Sequence, residues 1–474
     1  MTIGLESCPA EIVESIVKSL DVTDVGSLRL TSRCLHSKAT QRHFSSYFWS
    51  KRVKVTSPSL EYFRVLTQRG SLGCEIRDLT LVGVVNNTKR IEAAVKAHSD
   101  DPSQRNLEIF QKRQQNHQQS LHSGQLLRHL SDAFKNIAAN SATGKLHSLS
   151  LEVTVYRTDA NRELSPASGG SWRLIWQSAA ETFRIVFSAL QESELQIDNL
   201  NIFNGSRLHR CSVASNELSN MNYSGPGLSK TLGSVSSLSI SVSDRILDLT
   251  PQDAQASGDS ADEIDWSDES DTDLVTFRVY AYNEINFSGL AGLIRACKIL
   301  KSLHIHQYGV NRRRLDPYLH IPNERLFQRS IATLDTSPPI EECSLCGVFI
   351  RESDLLAFLK GISSSLRRFS MKTVTMTTGS FRAAFDYIAS DISNLEYLYF
   401  DELMIGRDLI HFTGIGEPRF HTWVGAHGGN TLRREGKEVK QPIPYHLPTG
   451  APLPVSSPER QIWFQDQRRE YGPP

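Results

Sequence analysis

The feature that most constrains this chain is a triplet of apolar positions, spaced apolar-x-x-apolar-x-apolar, that returns eight times. It reads Ile76-Leu79-Leu81, Leu146-Leu149-Leu151, Ile197-Leu200-Ile202 and Val235-Leu238-Ile240. It continues as Leu300-Leu303-Ile305, Ile340-Cys343-Leu345, Leu366-Phe369-Met371 and Leu395-Leu398-Phe400. The last two positions of each triplet stand two residues apart, so in an extended chain both side chains point to one face. Between the triplets lie stretches with helical spacing, at 125–140, 172–190, 287–300, 354–362 and 381–392. Leu126, Leu130, Phe134 and Ile137 illustrate the spacing. Short strands alternating with helices predict an α/β chain whose strands share one covered face.

At 474 residues the chain is too long for one ordinary core, so several domains or one elongated array are expected. The alternation resembles a leucine-rich repeat. Successive triplets begin 70, 51, 38, 65, 40, 26 and 29 residues apart, and only the last intervals match a repeat of ~20–29 residues. The consensus asparagine is also missing. The expectation is therefore an irregular leucine-rich-repeat-like solenoid of alternating helices and short parallel strands over 57–424. Residues 253–273 hold nine acids and no base, which predicts a disordered acidic insertion spanning 251–274. Ser267, Ser270 and Thr272 lie there among carboxylates, a context that acid-directed kinases prefer. Residues 425–474 are rich in proline and glycine and read as an extended tail, with Trp463 and Phe464 as anchors.

The first fifty residues follow a different pattern. Pro9 suits a helix start, and Glu11 falls in the first turn. Ile12, Ile16 and Leu20 recur every four residues, with Val13 and Val17 widening the stripe. Asp21 to Asp24 supplies capping side chains, Val25 and Leu28 open a second stripe, and Leu35 and Ala39 mark a third. Phe44, Tyr47, Phe48 and Trp49 close the segment. Three short helices bury little by themselves, and units of this size often need a partner.

Pro9, Glu11, Ile12, Ile16, Leu20, Asp21, Leu28, Leu30, Ser32, Arg33, Leu35 and Trp49 occur in the order and spacing of the F-box family, and residues 1–56 resemble it. The resemblance implies docking on a Skp-family adaptor, and through it on a cullin ligase core. Pro9, Ile12, Ile16, Leu20, Leu28, Leu30 and Trp49 are the expected adaptor-binding residues. Family members commonly use repeats to hold a target protein. The implied function is thus a substrate-recruiting subunit of a cullin-based (SCF-type) ubiquitin ligase. The alternative from another class is an interaction scaffold with no ligase role.

Other classes find little support. The 52 basic and 52 acidic residues cancel, so whole-chain charge predicts neither nucleic-acid nor membrane affinity. Arg29, Arg33, Lys38, Arg42, Lys51, Arg52 and Lys54 form a basic run that reads as a solvated face or an auxiliary contact to an acidic adaptor. The seven cysteines are scattered, no signal region precedes them, and free thiols in a reducing compartment, cytoplasm or nucleus, are expected. Cys343 and Cys346 lack a second ligand pair for zinc, and His304 and His306 read as surface residues. No Walker, dinucleotide, metalloprotease or nucleophile-elbow motif is present. No cofactor and no enzymatic activity are expected.

Overall fold

The structure is a computed structural model describing residues 4–69, 72–97, 101–166, 172–205, 211–243, 283–308, 321–331, 338–406, 408–414, 428–448, 454 and 456–471. The acidic insertion lies outside the described residues. Four short helices open the chain: α1 (Ala10–Val17), α2 (Val22–Thr31), α3 (Arg33–Ala39) and α4 (Arg42–Ser46). Asp21 accepts the Asp24 N–H at the start of α2, and Ser32 accepts the Leu35 N–H at the start of α3. Each cap satisfies an amide that the helix leaves unpaired.

Then come β1 (Ser50–Lys54), α5 (Ser57–Leu66), β2 (Asp78–Asn86), α6 (Lys89–Ala97), α7 (Asp101–His122), α8 (Gln125–Asn140) and β3 (Lys145–Tyr156). They are followed by α9 (Trp172–Ser193), β4 (Gln196–Ile202), β5 (Val213–Ala214), α10 (Ser215–Ser219), α11 (Pro226–Leu232) and β6 (Ser237–Ser243). Next are α12 (Ser288–Ala296), β7 (Ser302–Gln307), α13 (Ile321–Ile331), β8 (Glu342–Cys346), β9 (Phe349–Arg351) and α14 (Glu352–Ile362). The remainder comprises β10 (Arg368–Lys372), β11 (Thr375–Thr378), α15 (Arg382–Ser390), β12 (Tyr397–Asp401), β13 (Met404–Ile405) and β14 (Asp408–Leu409). It ends with β15 (His411–Phe412), β16 (Thr431–Glu435), β17 (Tyr445–His446) and α16 (Pro458–Tyr471).

Eleven strands form one mostly parallel sheet in the order β1-β2-β3-β4-β6-β7-β8-β10-β12-β16, with β5 beside β6. Strand order is chain order. The triplets explain the register: Leu79, Leu149, Leu200, Leu238, Leu303, Cys343, Phe369 and Leu398 stand opposite one another across successive strands. Leu81, Leu151, Ile202, Ile240, Ile305, Leu345, Met371 and Phe400 form the neighbouring rung. Every triplet residue is buried. Helices cover this face in turn, with α8 on α5, α9 on α8, α11 on α9, then α12 to α15 each on its predecessor.

The last units repeat a finer plan. Gly347, Thr373 and Glu402 each follow a main-sheet strand and each has a left-handed backbone, φ 66°, 52° and 49°. That corner turns the chain from β8, β10 and β12 into β9, β11 and β13, which pair as a second parallel sheet. Phe203 adopts the same conformation after β4.

Three segments depart from the sequence reading. The N-terminal unit has four short helices where three were expected, the fourth, α4, carrying Phe44 of the aromatic cluster. Residues 425–474 do not form only an extended tail: β16 pairs antiparallel with β12, and α16 is helical. Periodicity misses β16 because Arg434 takes the inward position opposite Leu398 and is satisfied by the Gln441 and Pro442 carbonyls. Helices α6 and α7 also escape it, being polar around most of their circumference and held chiefly by Ile91 and Phe110 against Tyr156 and Ala160.

Packing is close where α12 crosses α10: a Cβ on Gly289 would run into the Leu218–Ser219 backbone. Gly289→Ala is expected to lower stability by about 1–3 kcal/mol. Gly26, inside α2 with open space around it, should behave oppositely, Gly26→Ala gaining about 0.5–1 kcal/mol. Denaturant unfolding of both variants beside the wild type checks the contrast.

Candidate functional site

Three surfaces have the composition of a binding site. The first is the N-terminal helical unit. It closes a small core of its own from Val13, Val17, Val25, Leu35, Ala39 and Phe44, with Leu20 and Leu28 packed against it. Of the apolar stripe on α1, the Val13–Val17 edge turns inward, while Ile16 stays half-buried and Ile12 is 51% exposed. Leu30 is 89% exposed, and Pro9, Val22 and Tyr47 are exposed beside it in sequence or on neighbouring helices. Trp49 sits apart from these residues. Its carbonyl accepts the Arg77 and Asp78 N–H groups at 2.8 Å, and the Arg77 guanidinium lies 3.9 Å from its ring centroid. It therefore fastens the unit to the sheet. The basic run does not form one face: Lys38 binds the Glu6 and Cys8 carbonyls, Arg29 binds Thr40, and Arg52 and Lys54 bind glutamates.

The second surface is the sheet face opposite the helices, made of the residues between the inward positions. One register row runs Thr80, Ser150, Asn201, Ser239, His304, Ser344, Ser370, Tyr399 and Arg433. The neighbouring row runs Asp78, Ser148, Asn199, Ser237, Ser302, Glu342, Arg368, Tyr397 and Glu435. Its centre consists of short hydroxyl and amide side chains, which let a partner's backbone approach closely. Many hydrogen-bond within the face: Ser148 donates to Asp78 at 2.7 Å, and Ser302 Oγ lies 2.9 Å from His304 Nε2. Burial lowers the His304 pKa despite the opposing pull of Glu342. At the far end the Arg368 and Arg433 guanidinium groups stand 4.4 and 5.7 Å from the Tyr397 ring centroid, paired with Glu342 and Glu435. Burial and the Asp401 carboxylate push the Tyr399 hydroxyl up to about 12. Tyr397 and Tyr399 are half-buried beside the exposed Arg368 and Arg433, and tyrosine and arginine are enriched among the residues that dominate protein interfaces.

The third is a cavity of about 590 Å³ at the carboxyl ends of β1–β3, walled by α7 and α9. In parallel α/β sheets this is the edge at which ligands are usually held. Beside it Glu163 folds back on β3 and meets Lys54 at 2.5 Å, Arg52 at 3.0 Å and the Tyr156 hydroxyl at 3.0 Å. Burial alone would raise the Glu163 carboxyl, but hydrogen bonds from Lys54, Tyr156 and Arg52 hold it at about 2.

Cys343 and Cys346 point to opposite faces of β8, because their spacing is odd; Cys343 is buried in the core and burial pushes its thiol up. Among the described residues no group of three His, Cys, Asp or Glu could hold a metal ion, and no helix is long and apolar enough to cross a membrane. Glu163, Tyr156, Tyr397, Tyr399 and Arg433 were not singled out by sequence reasoning. The one available signal was their place at non-apolar positions on or beside the strands.

Acidification should remove stability in two windows. His304 has a folded pKa below its ordinary 6.5, so its contribution is present above that value and is lost as pH falls past it. Glu163 contributes above 4.5 and loses its contribution as pH falls toward about 2. His304→Gln is expected to flatten the upper window alone and Glu163→Gln the lower one alone, read from unfolding free energies across the pH range. Comparison with protein-family models gives no match for the chain, and comparison with curated proteins gives none either.

Proposed function

We propose that the chain is the substrate-recruiting subunit of a cullin-based ubiquitin ligase, an F-box protein whose repeat region is an irregular leucine-rich-repeat-like solenoid. One observation carries the reading: a small helical unit completes its own core and still leaves Ile12 and Leu30 in solvent. Apolar side chains exposed on short helices fit helix-in-groove recognition by a second protein. In this reading a Skp-family adaptor covers Ile12, Leu30, Pro9 and the half-buried Ile16, while Leu20 and Leu28 hold the unit in shape. Trp49 transmits its position to the sheet.

Support for a solenoid comes from the strand order, the helices stacking in the same order, and the strand–corner–strand plan repeated after β8, β10 and β12. The open face, with its hydroxyl and amide centre and its tyrosine–arginine end, is the surface for a target protein. The chain contributes proximity and orientation, and other subunits carry out ubiquitin transfer.

The test is capture of a purified Skp-family adaptor by the full chain. Wild type is expected to retain it, and Ile12→Asp/Leu30→Asp to lose it with unchanged thermal unfolding, since both residues are exposed. Failure of folded wild type to capture the adaptor would leave the same fold as an interaction scaffold outside any ligase.

A further inference from the structure

The cavity at the carboxyl ends of β1–β3 has a use that target docking on the open face does not require. In the regular units one helix joins each strand to the next. Between β2 and β3 that place is taken by α8, so α6 and α7 are additional. Helix α7 contributes Arg113, Gln114 and His117 to the cavity wall, opposite Lys54 from β1 and Glu181 from α9.

The wall divides into two ends by its hydrogen bonding. At one end the Lys54 ammonium and the Arg113 guanidinium each lie 5.3 Å from the Tyr156 ring centroid. Lys54 spends two donors on Glu163 and Tyr156, which leaves one of its three. Arg113 spends one N–H on the Ala160 carbonyl, at 2.7 Å, and has no carboxylate partner among the described residues. At this end Arg52, Lys54 and Arg113 against Glu152 and Glu163 leave a surplus of one positive charge, which Glu181 balances at the other end of the cavity. At the other end Glu181 accepts from Gln177 at 3.1 Å and lies 3.3 Å from His117 Nε2. In the same wall the Asn86 Oδ1 is buried with no hydrogen-bond partner.

We infer that this cavity binds an organic carboxylate, its anion on Arg113 and its polar remainder toward Asn86 and the His117–Glu181 end. A single surplus positive charge matches a carboxylate better than a doubly charged phosphate ester. An arginine fork meets a carboxylate with two parallel hydrogen bonds, which gives the pairing its geometry. The cavity volume of about 590 Å³ falls within the ~300–1,000 Å³ typical of small-ligand sites. The carboxylate belongs either to a free small acid or to an acidic residue of a bound peptide; the recognising chemistry is the same.

Calorimetric titration of the full chain tests this with L-glutamate and with N-acetylated, C-amidated Ala-Glu-Ala, each beside its glutamine counterpart. Saturable binding of at least one acid is expected, with the glutamine form about tenfold weaker or more. Arg113→Gln should reduce acid affinity by about tenfold or more, and Arg113→Lys should restore only part of it, because an ammonium keeps the charge but cannot make the two parallel hydrogen bonds. Binding of glutamate alone assigns a free acid, and binding of the peptide alone assigns an acidic residue of a partner. No saturable binding of either acid by folded wild type overturns the proposal, as does equal affinity for acid and glutamine forms. Adaptor capture uses the separate N-terminal surface, so either proposal can fail without the other.

Discussion

The structure depends on a ladder of two buried rungs, in which each parallel strand from β2 to β12 on the main path sets two inward side chains against those of its neighbours. Fully burying an aliphatic or aromatic side chain contributes about 1.5–3 kcal/mol. Repeated over eight strands, that burial offsets the ordering of a long chain. The side-chain period of a strand is two, so a slip of one residue would turn every inward side chain out. Burial therefore fixes register across the whole sheet, and register in turn sets which outward residues stand side by side. The polar rows on the open face are a consequence of the apolar ones beneath them.

The N-terminal helices stand outside this ladder. Their core is too small to draw in every apolar residue, and the surplus stays in solvent. The connection through Trp49 gives that unit a fixed seat, since one carbonyl accepts two sheet-side N–H groups while Arg77 covers the ring. A partner bound to the helices would thus act on a body whose orientation the sheet determines.

Much of the fold was legible in the sequence because burial leaves a spacing that survives without coordinates. All eight triplets occupy the positions their periodicity required, and the helix at 125–140 has the bounds expected of it. Legibility ended where polar residues take structural places. Arg434 fills an inward slot of β16 and hides a strand, and α6 and α7 lie on the body through a narrow apolar contact. On α1, five apolar residues offered two edges, and only packing against α3 and Phe44 distinguishes Val13–Val17 from Ile12–Ile16. The clusters around Glu163 and Tyr397 were hidden for another reason. They join residues brought together by register and by a returning loop, which no local pattern records.

The two ends of the main sheet carry a further consequence. The outer edge of β1 belongs to a strand bearing Lys51, Arg52 and Lys54, and the opposite edge is β16, a short antiparallel strand with Arg433, Arg434 and Glu435. A row of similar parallel strands is a template on which another copy's edge could add indefinitely. Charged side chains on edge strands oppose such addition, and the reversed direction of β16 breaks the parallel hydrogen-bond pattern that an incoming strand would continue. Among the described residues, both edges of the main sheet thus oppose the addition of a further parallel strand.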